Sequence, residues 1–308
     1  SGALIVADRR ESSVRISARG QTGAGLGCIV WRMSESRAKS APPAKSATSE
    51  GLRAAASRPF AEGDQASFGA HDVPAAEKAG LVRDVFSAVA GRYDLMNDLM
   101  SGGIHRLWKD RMVDAVAPRA GESVLDLAGG TGDIAFRLHE KSHGRARVVV
   151  CDLTEAMLRV GRDRATDRGV VTGLSWVGGD AQALPLRARS VDAVTIAFGL
   201  RNVTHIDAAL AEIHRVLRPG GRFACLEFSE VAVPGLSAAY DVYSEQILPR
   251  LGQAVAGDRE SYQYLVESIR RFPDQESLAA AMRAAGFAQV RYRNHAGGIA
   301  ALHLGRRL

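Results

Sequence analysis

One run of ten residues constrains this chain more than any other. In Val124-Leu125-Asp126-Leu127-Ala128-Gly129-Gly130-Thr131-Gly132-Asp133, an apolar segment runs into a glycine turn and then into a helical pattern. A buried strand that ends in a glycine turn and opens a helix lets a ligand approach the backbone closely. Asp152 ends the next apolar segment, Arg147–Cys151, about twenty residues on, where an acidic side chain can accept both ribose hydroxyls of a nucleoside. A dinucleotide turn reads G-x-G-x-x-G with an uncharged residue before it. Here Asp126 stands in the strand end, and the tight unit is Gly130-Thr131-Gly132. A carboxylate there repels a pyrophosphate but suits a ligand carrying an ammonium and a sulfonium, which favours S-adenosylmethionine over NAD. No G-x-x-x-x-G-K-[ST] occurs, so a P-loop is excluded. Asp180, after the third strand, is placed to meet an adenine amine.

The surrounding pattern alternates. Strands are predicted at Ser123–Leu127, Arg147–Cys151, Trp176-Val177, Val191–Phe198 and Arg222–Phe228, with Val290–Arg293 and Ile299–Leu304 closing the chain. Helices are predicted at His105–Val116, Asp133–Lys141, Glu155–Arg164 (Thr154 as N-cap), Asp207–Leu217 and Gln275–Ala285, with an irregular helical stretch over Ser237–Arg271. Ahead of them, Val82, Val85, Phe86, Val89 and Tyr93 recur at helical spacing. This order predicts an α/β fold: a doubly wound, mostly parallel, seven-stranded Rossmann-like sheet with an N-terminal helical cover.

Residues 1–66 read differently. Ser34–Thr48 is rich in Ala, Ser, Pro and Lys and carries no period, so it cannot bury enough apolar surface to order itself. The expectation is a disordered or leader extension over 1–66 and one catalytic domain over 67–308. Met33 is a candidate start, and a mitochondrial presequence is the rival reading, weakened by Asp8, Glu11, Glu35 and Glu50. The net charge of +6 invites a nucleic-acid partner, but residues 1–65 hold 10 Lys and Arg against 6 Asp and Glu. The remainder is nearly neutral and shows no basic, aromatic-interleaved patch, so no nucleic-acid partner is expected. Three isolated cysteines, Cys28, Cys151 and Cys225, fit a reducing compartment without disulfides or zinc spacing. No metal is expected. His139-Glu140-Lys141-Ser142-His143 matches H-E-x-x-H but sits at a helix end with Gly144 following, where two imidazoles cannot share a helix face.

Several motifs lie outside what a generic nucleoside-binding sheet requires. Tyr93-Asp94-Leu95-Met96-Asn97-Asp98-Leu99-Met100-Ser101 with His105 and Trp108 is one. Arg215-Val216-Leu217-Arg218-Pro219-Gly220-Gly221 with Glu227-Phe228-Ser229 is a second, and Phe198-Gly199-Leu200-Arg201-Asn202-Val203 lies between them. Tyr240-Asp241-Val242-Tyr243, Leu248-Pro249-Arg250 and Ser261-Tyr262-Gln263-Tyr264-Leu265 follow. From about Phe68 to the C-terminus, the chain resembles the ubiquinone/menaquinone biosynthesis C-methyltransferases of the UbiE type.

That resemblance implies S-adenosyl-L-methionine as cofactor. The implied reaction is methylation of a ring carbon of a polyprenylated quinol, a 2-polyprenyl-6-methoxy-1,4-benzoquinol, a demethylmenaquinol or both. Thr131 and Asp152 match cofactor positions of the family, Asp180 and Ala181 its adenine-contacting pair, and Ala197 falls where relatives often carry Ser. Arg201 is the candidate catalytic residue, a fixed cation able to stabilise a developing phenolate. Tyr93 and Asn97 belong to the expected cover, and Tyr240 and Tyr243 to the expected prenyl-quinol channel. His105 is read as bracing the cover helix, and Arg306 and Arg307 as a solvated strand end. The implied placement is cytoplasmic, touching a bacterial inner membrane transiently, with the mitochondrial matrix face as the alternative. A homodimer or a quinone-biosynthesis complex is the expected assembly. Two other functions compete: methylation of another small lipid-like acceptor, and a SAM-binding scaffold subunit without catalysis.

Overall fold

A computed structural model describes residues 4–6, 64–90, 97–98, 101–231 and 259–308. In chain order these form β1 (Leu4–Val6), β2 (Gln65–Phe68), β3 (His71–Pro74), α1 (Ala75–Val89), α2 (His105–Val116) and β4 (Ser123–Leu127). Next come α3 (Asp133–Lys141), β5 (Arg147–Asp152), α4 (Glu155–Asp167), β6 (Leu174–Gly178) and β7 (Val191–Ala197). The chain ends in α5 (Ile206–Val216), β8 (Leu217–Phe228), α6 (Arg259–Arg270), α7 (Gln275–Ala284), β9 (Ala288–His295) and β10 (Ala300–Arg306).

Seven strands make the sheet that the alternating pattern predicts, in the order β6-β5-β4-β7-β8-β10-β9, and β1 adds to the outer edge of β6. Pairings from β6 to β8 are parallel, whereas β10 runs antiparallel to both β8 and β9. Strand order reverses at β4, between β5 and β7, so the crevice at the carboxyl ends of these strands is where such a sheet receives a ligand.

Side chains along each strand alternate between two cores, as a period of two requires. Val124, Val148, Val150, Ala193 and Leu226 join the core shared with α1 to α4 and α6, while Leu125, Leu127, Val194, Ile196 and Phe223 join the one under α5 and α7. Asp126 falls on the same face as Val124. The cover helix α1 buries Lys78, Val82, Phe86 and Val89 at helical spacing. Lys78 Nζ donates to the Val203 carbonyl at 3.0 Å, tying the cover to the loop between β7 and α5. Burial pushes that ammonium down to about 8.

Several local expectations change. The β2–β3 hairpin begins at Gln65 and precedes the cover, and β1 pairs Leu4 with Trp176 inside the segment read as leader. Thr154 occupies the N-cap position of α4 without capping through its side chain. Asp152 Oδ1 instead accepts the Thr154 N–H at 2.8 Å, an Asx turn that does the same work one step earlier. Arg307 is not a solvated strand end. Its guanidinium donates to the carbonyls of His214, Arg215 and Leu217, satisfying orphan groups where α5 ends. His105 is buried and its Nε2 lies 2.8 Å from Asp98 Oδ1, a brace. His143 lies past the end of α3 with a φ of 53°, so it shares no helix face with His139.

Candidate active site

The turn Ala128–Gly132 carries the chain from β4 into α3. Gly132 adopts φ 83°, and a Cβ there would lie 2.5 Å from the Trp176 ring, so neither the turn nor the packing tolerates a side chain. Gly161 of α4 meets the same edge of the indole, with a Cβ position 2.4 Å away and 3.0 Å from the Thr131 carbonyl carbon. Trp176, 2% exposed, is thus the floor on which the turn and α4 are stacked. Ala128 (φ 49°) and Phe198 (φ 56°) hold left-handed backbone without being glycine. Both line the site, where such strain is commonly concentrated.

Above this turn lies a cleft between α1 and the ends of β4, β5 and β7. Asp152 lines it, with Oδ2 accepting the Gly130 N–H at 2.8 Å while Oδ1 accepts that of Thr154. Burial pushes the carboxyl up, against the pull of those backbone donors. Asp180 lines one end, and its Oδ1 accepts the Gln182 N–H at 2.8 Å. Gln182 Oε1 accepts the His205 N–H at 3.0 Å, so the loops after β6 and β7 are held as one wall. Ala181, Val82, Phe86, Leu153 and Met157 supply apolar surface. The cleft therefore joins a carboxylate fixed by backbone donors to apolar walls with an acidic group at one end, a receptor for a ribose and a flat base.

A second, smaller recess lies across Ala128 from the first and is lined by Asp126, Thr131, Ala197, Lys109 and Asp133. Asp126 is 1% exposed. Its Oδ1 accepts the Thr195 hydroxyl at 2.8 Å, and its Oδ2 has no protein partner among the described residues. Burial raises this carboxyl to about 7; the Thr195 bond opposes that, the charges of Asp133 and Asp152 add to it, and Lys109 opposes it. Lys109 Nζ donates to Asp133 Oδ2 at 2.8 Å, and Arg137 Nε to Oδ1 at 3.0 Å. Burial alone would raise Asp133, but the two cations win and hold it at about 2. Thr131 accepts from Arg164 Nη1 at 3.1 Å, which anchors the turn to α4.

Arg201 sits in the single turn after β7 and is buried behind the cleft rather than lining it. Its side chain is fully enclosed, with Nη1 2.7 Å from Glu227 Oε1 and 2.6 Å from the Phe198 carbonyl. Nε and Nη2 have no partner among the described residues. Burial pushes Glu227 up, against the pull of the Arg201 guanidinium. The flanking Gly199 and Asn202 do line the cleft. Asn202 Oδ1 accepts the Tyr264 hydroxyl at 3.0 Å, and burial raises that phenol to about 12.

Of the residues expected from sequence, Gly130, Asp152, Asp180 and Ala181 converge on the cleft, while Asp126, Thr131 and Ala197 converge on the second compartment. Gly132 packs on Trp176 beneath them. Asn97 is buried with its Nδ2 unpartnered among the described residues and lines neither space. Tyr93, Tyr240 and Tyr243 lie outside the described residues. Sequence reasoning gives no role to Lys109, Trp176 or Glu227. Only Glu227 carries a signal, an acidic residue inside a motif otherwise apolar at the end of a strand.

Comparison with known proteins shows what the chain is similar to. The model of the ubiE/COQ5 methyltransferase family matches residues 73–307. A "Ubiquinone/menaquinone biosynthesis C-methyltransferase UbiE" from Dinoroseobacter shibae is 58% identical over 241 residues, 78% of this chain and 96% of that protein. A protein of the same name from Paracoccus denitrificans is 58% identical over 247 residues, covering 80% of this chain and 98% of its own length. Among solved structures, a SAM-dependent methyltransferase from Thermotoga maritima matches with a TM-score of 0.52 at 18% identity. It covers 74% of this chain and 100% of its own, and the likeness is one of fold.

Proposed function

The chain belongs to the ubiE/COQ5 methyltransferase family, and from that premise we infer that it is a SAM-dependent C-methyltransferase acting on the ring of a polyprenylated quinol in ubiquinone/menaquinone biosynthesis. The observation that carries the reading is the pair of compartments joined at Ala128. One is lined around Asp152 as a nucleoside requires, and the other holds a buried carboxylate oxygen, Asp126 Oδ2, without a donor among the described residues. A buried acceptor left unpaired costs about 1–3 kcal/mol, which a bound donor recovers. The residues present therefore fit S-adenosylmethionine.

Bound S-adenosylmethionine supplies a methyl group already activated on sulfur. The residues of the chain then have two tasks, alignment and exclusion of water. Asp152 would hold the ribose and Asp180 and Ala181 the base, with the turn Ala128–Gly132 lying between the cleft and the second recess. Val82 and Phe86 of α1 close the cleft from above. Alignment of a carbon nucleophile within about 3–3.5 Å of the methyl is the main catalytic demand. The phenolic oxygen of the quinol must also be relieved of its proton so that the ring carbon is electron-rich enough to attack. The proton passes to water, and Arg201, which lies behind the cleft, stabilises the phenolate left behind through a bridging water held by Nε or Nη2, donors without a partner among the described residues, while Glu227 holds Nη1. Glu227 reduces the net charge at this point, so Arg201 acts by directed hydrogen bonds more than as a bare cation.

We further propose that residues 67–308 are the catalytic domain and that the enzyme takes its lipid substrate at a membrane surface. Among the described residues, no helix is long and apolar enough to cross a membrane. A homodimer or a quinone-biosynthesis complex is the proposed assembly. Deleting the gene and profiling quinones by mass spectrometry tests the reading. Accumulation of a ring-demethylated precursor supports it; an unchanged quinone pool in a strain with no second copy overturns it.

A further inference from the structure

The outer strands carry a line of cations that lies outside the cleft. β9 pairs with β10 alone, so its other edge is open. Arg291 stands opposite Leu304 and Arg293 opposite Leu302, on the sheet face that α2 covers. Arg306 lies on that face too, opposite Arg222 of β8. Arg111 of α2 points at β9, its Nη1 3.4 Å from His295 Nδ1. Burial holds that imidazole below its ordinary value, and the charges of Arg111 and Arg293 add to the effect. All four arginines are exposed, and none has an acidic partner among the described residues. The nearby acids are committed elsewhere: Asp110 and Asp114 turn to Arg137 and Lys141 of α3, and Glu122 pairs with Arg222. Guanidiniums gathered on one surface repel one another unless an anionic partner meets them. Ile104 and Leu107 continue the stripe of Arg111 toward the start of α2, at helical spacing, and are 49% and 54% exposed. At this end of α2, Trp108 packs edge-on against Phe228, which also touches Phe198 of the cleft wall. The apolar end of the stripe thus lies toward the cleft, and the cations run from it down the sheet edge.

We propose that this face, formed by Ile104, Leu107 and Arg111 of α2 with Arg291, Arg293 and Arg306 of the outer strands, docks on an anionic phospholipid bilayer. The two apolar side chains enter the boundary between headgroups and acyl chains, and the guanidiniums meet lipid phosphates, to which they can donate bidentately. The proposal rests on the reading that the enzyme takes its substrate at a membrane surface, and it assigns that contact to one face. An acidic protein surface would satisfy the arginines but has no use for Ile104 and Leu107, so the two features together favour lipid. Docked this way, the end of the molecule nearest the cleft rests against the bilayer.

Co-sedimentation of the full-length protein with two kinds of vesicle tests it, one of phosphatidylcholine alone and one of equal parts phosphatidylcholine and phosphatidylglycerol. The unaltered protein should bind the anionic vesicles more tightly, and added salt should weaken that binding. Each guanidinium near an anionic surface is worth about fivefold in affinity, so the double variant Arg291→Gln, Arg293→Gln should bind the anionic vesicles about 30-fold more weakly. Leu107→Ser should weaken binding about tenfold at every salt concentration, because its contribution is apolar. Methyl transfer to a short-chain, water-soluble quinol should be unchanged in both variants, which also reports that they fold, while transfer to a long-chain quinol in anionic vesicles falls. Equal binding of the unaltered protein to both vesicles, binding to neither, or anionic binding unchanged in the double variant overturns the proposal. Retention on immobilised polyglutamate without vesicle binding overturns it too, and assigns the arginines to an acidic protein. The comparison of vesicles on the unaltered protein needs no variant. Absence of transfer to the short-chain quinol by the unaltered protein instead removes the quinol reading, whatever the vesicles show.

Discussion

Replacing Asp126 with asparagine should stabilise the protein and weaken its cofactor binding at the same time. The carboxyl is 1% exposed, and burial moves its pKa from 3.8 to about 7. Between those values the unfolded chain has released the proton and the folded one still holds it. The folded state therefore binds more protons across this window, and the stability contributed by the group is lost as pH rises. Asparagine keeps the shape and the hydrogen bond to Thr195 but has no charge to bury. Each pH step of one within the window is worth about 1.4 kcal/mol, so the gap between Asp126→Asn and the native protein should widen by roughly 3 kcal/mol from pH 5 to pH 8. Urea unfolding followed by tryptophan fluorescence at the two pH values measures it, since Trp176 is buried beneath the turn. At pH 8 the same variant should bind S-adenosylmethionine at least tenfold more weakly, the cost of one lost charge-assisted bond. A gap that stays constant or narrows from pH 5 to pH 8 refutes the argument from buried charge. Unchanged affinity refutes the contact with the ligand.

Other substitutions probe separate parts of the site. Gly161→Ala drives a methyl into the Trp176 indole and should cost about 1–3 kcal/mol in chemical denaturation, where no loss would mean α4 can move aside. Glu227→Gln leaves Arg201 buried without its counter-charge and should cost about 3–5 kcal/mol by the same measurement. Arg201→Ala should lower methyl transfer while calorimetry still shows S-adenosylmethionine bound; unaltered turnover would remove Arg201 from the chemistry. Asp152→Asn, which loses one of the acceptors facing the cleft, should weaken S-adenosylmethionine and methylthioadenosine to a similar extent, because both carry the ribose.

The parts of the molecule that follow a repeating rule were legible in the sequence. The strands from Ser123 to Phe228 declare themselves by apolar runs and glycine breaks, and Asp152 by its place at the end of the second. Gln65–Phe68 and His71–Pro74 carry no alternation strong enough to announce a hairpin, and they form one through tertiary contact with α1 and α6. The second compartment was half visible. Asp126, Thr131 and Ala197 come from strand ends and the turn, whose geometry is local. Lys109 lies on a preceding helix, in a sequence where a lysine reads as solvent-facing, and only the packing of α2 over β7, β8 and α3 brings it to Asp133. Arg201 shows the converse. Its position after β7 was legible, but the acid that binds it lies on the neighbouring strand, and no spacing along the chain reveals that Glu227 and Arg201 face each other.

The central claim is that these compartments present S-adenosylmethionine to a ring carbon of a lipid quinol. The most direct test supplies the purified full-length protein with methyl-labelled S-adenosylmethionine and a ring-demethylated prenyl quinol kept reduced. The account predicts label in the quinol product, attached to a ring carbon and absent from the oxygens. Cofactor that binds without any label reaching the quinol, or label found only on oxygen, contradicts it.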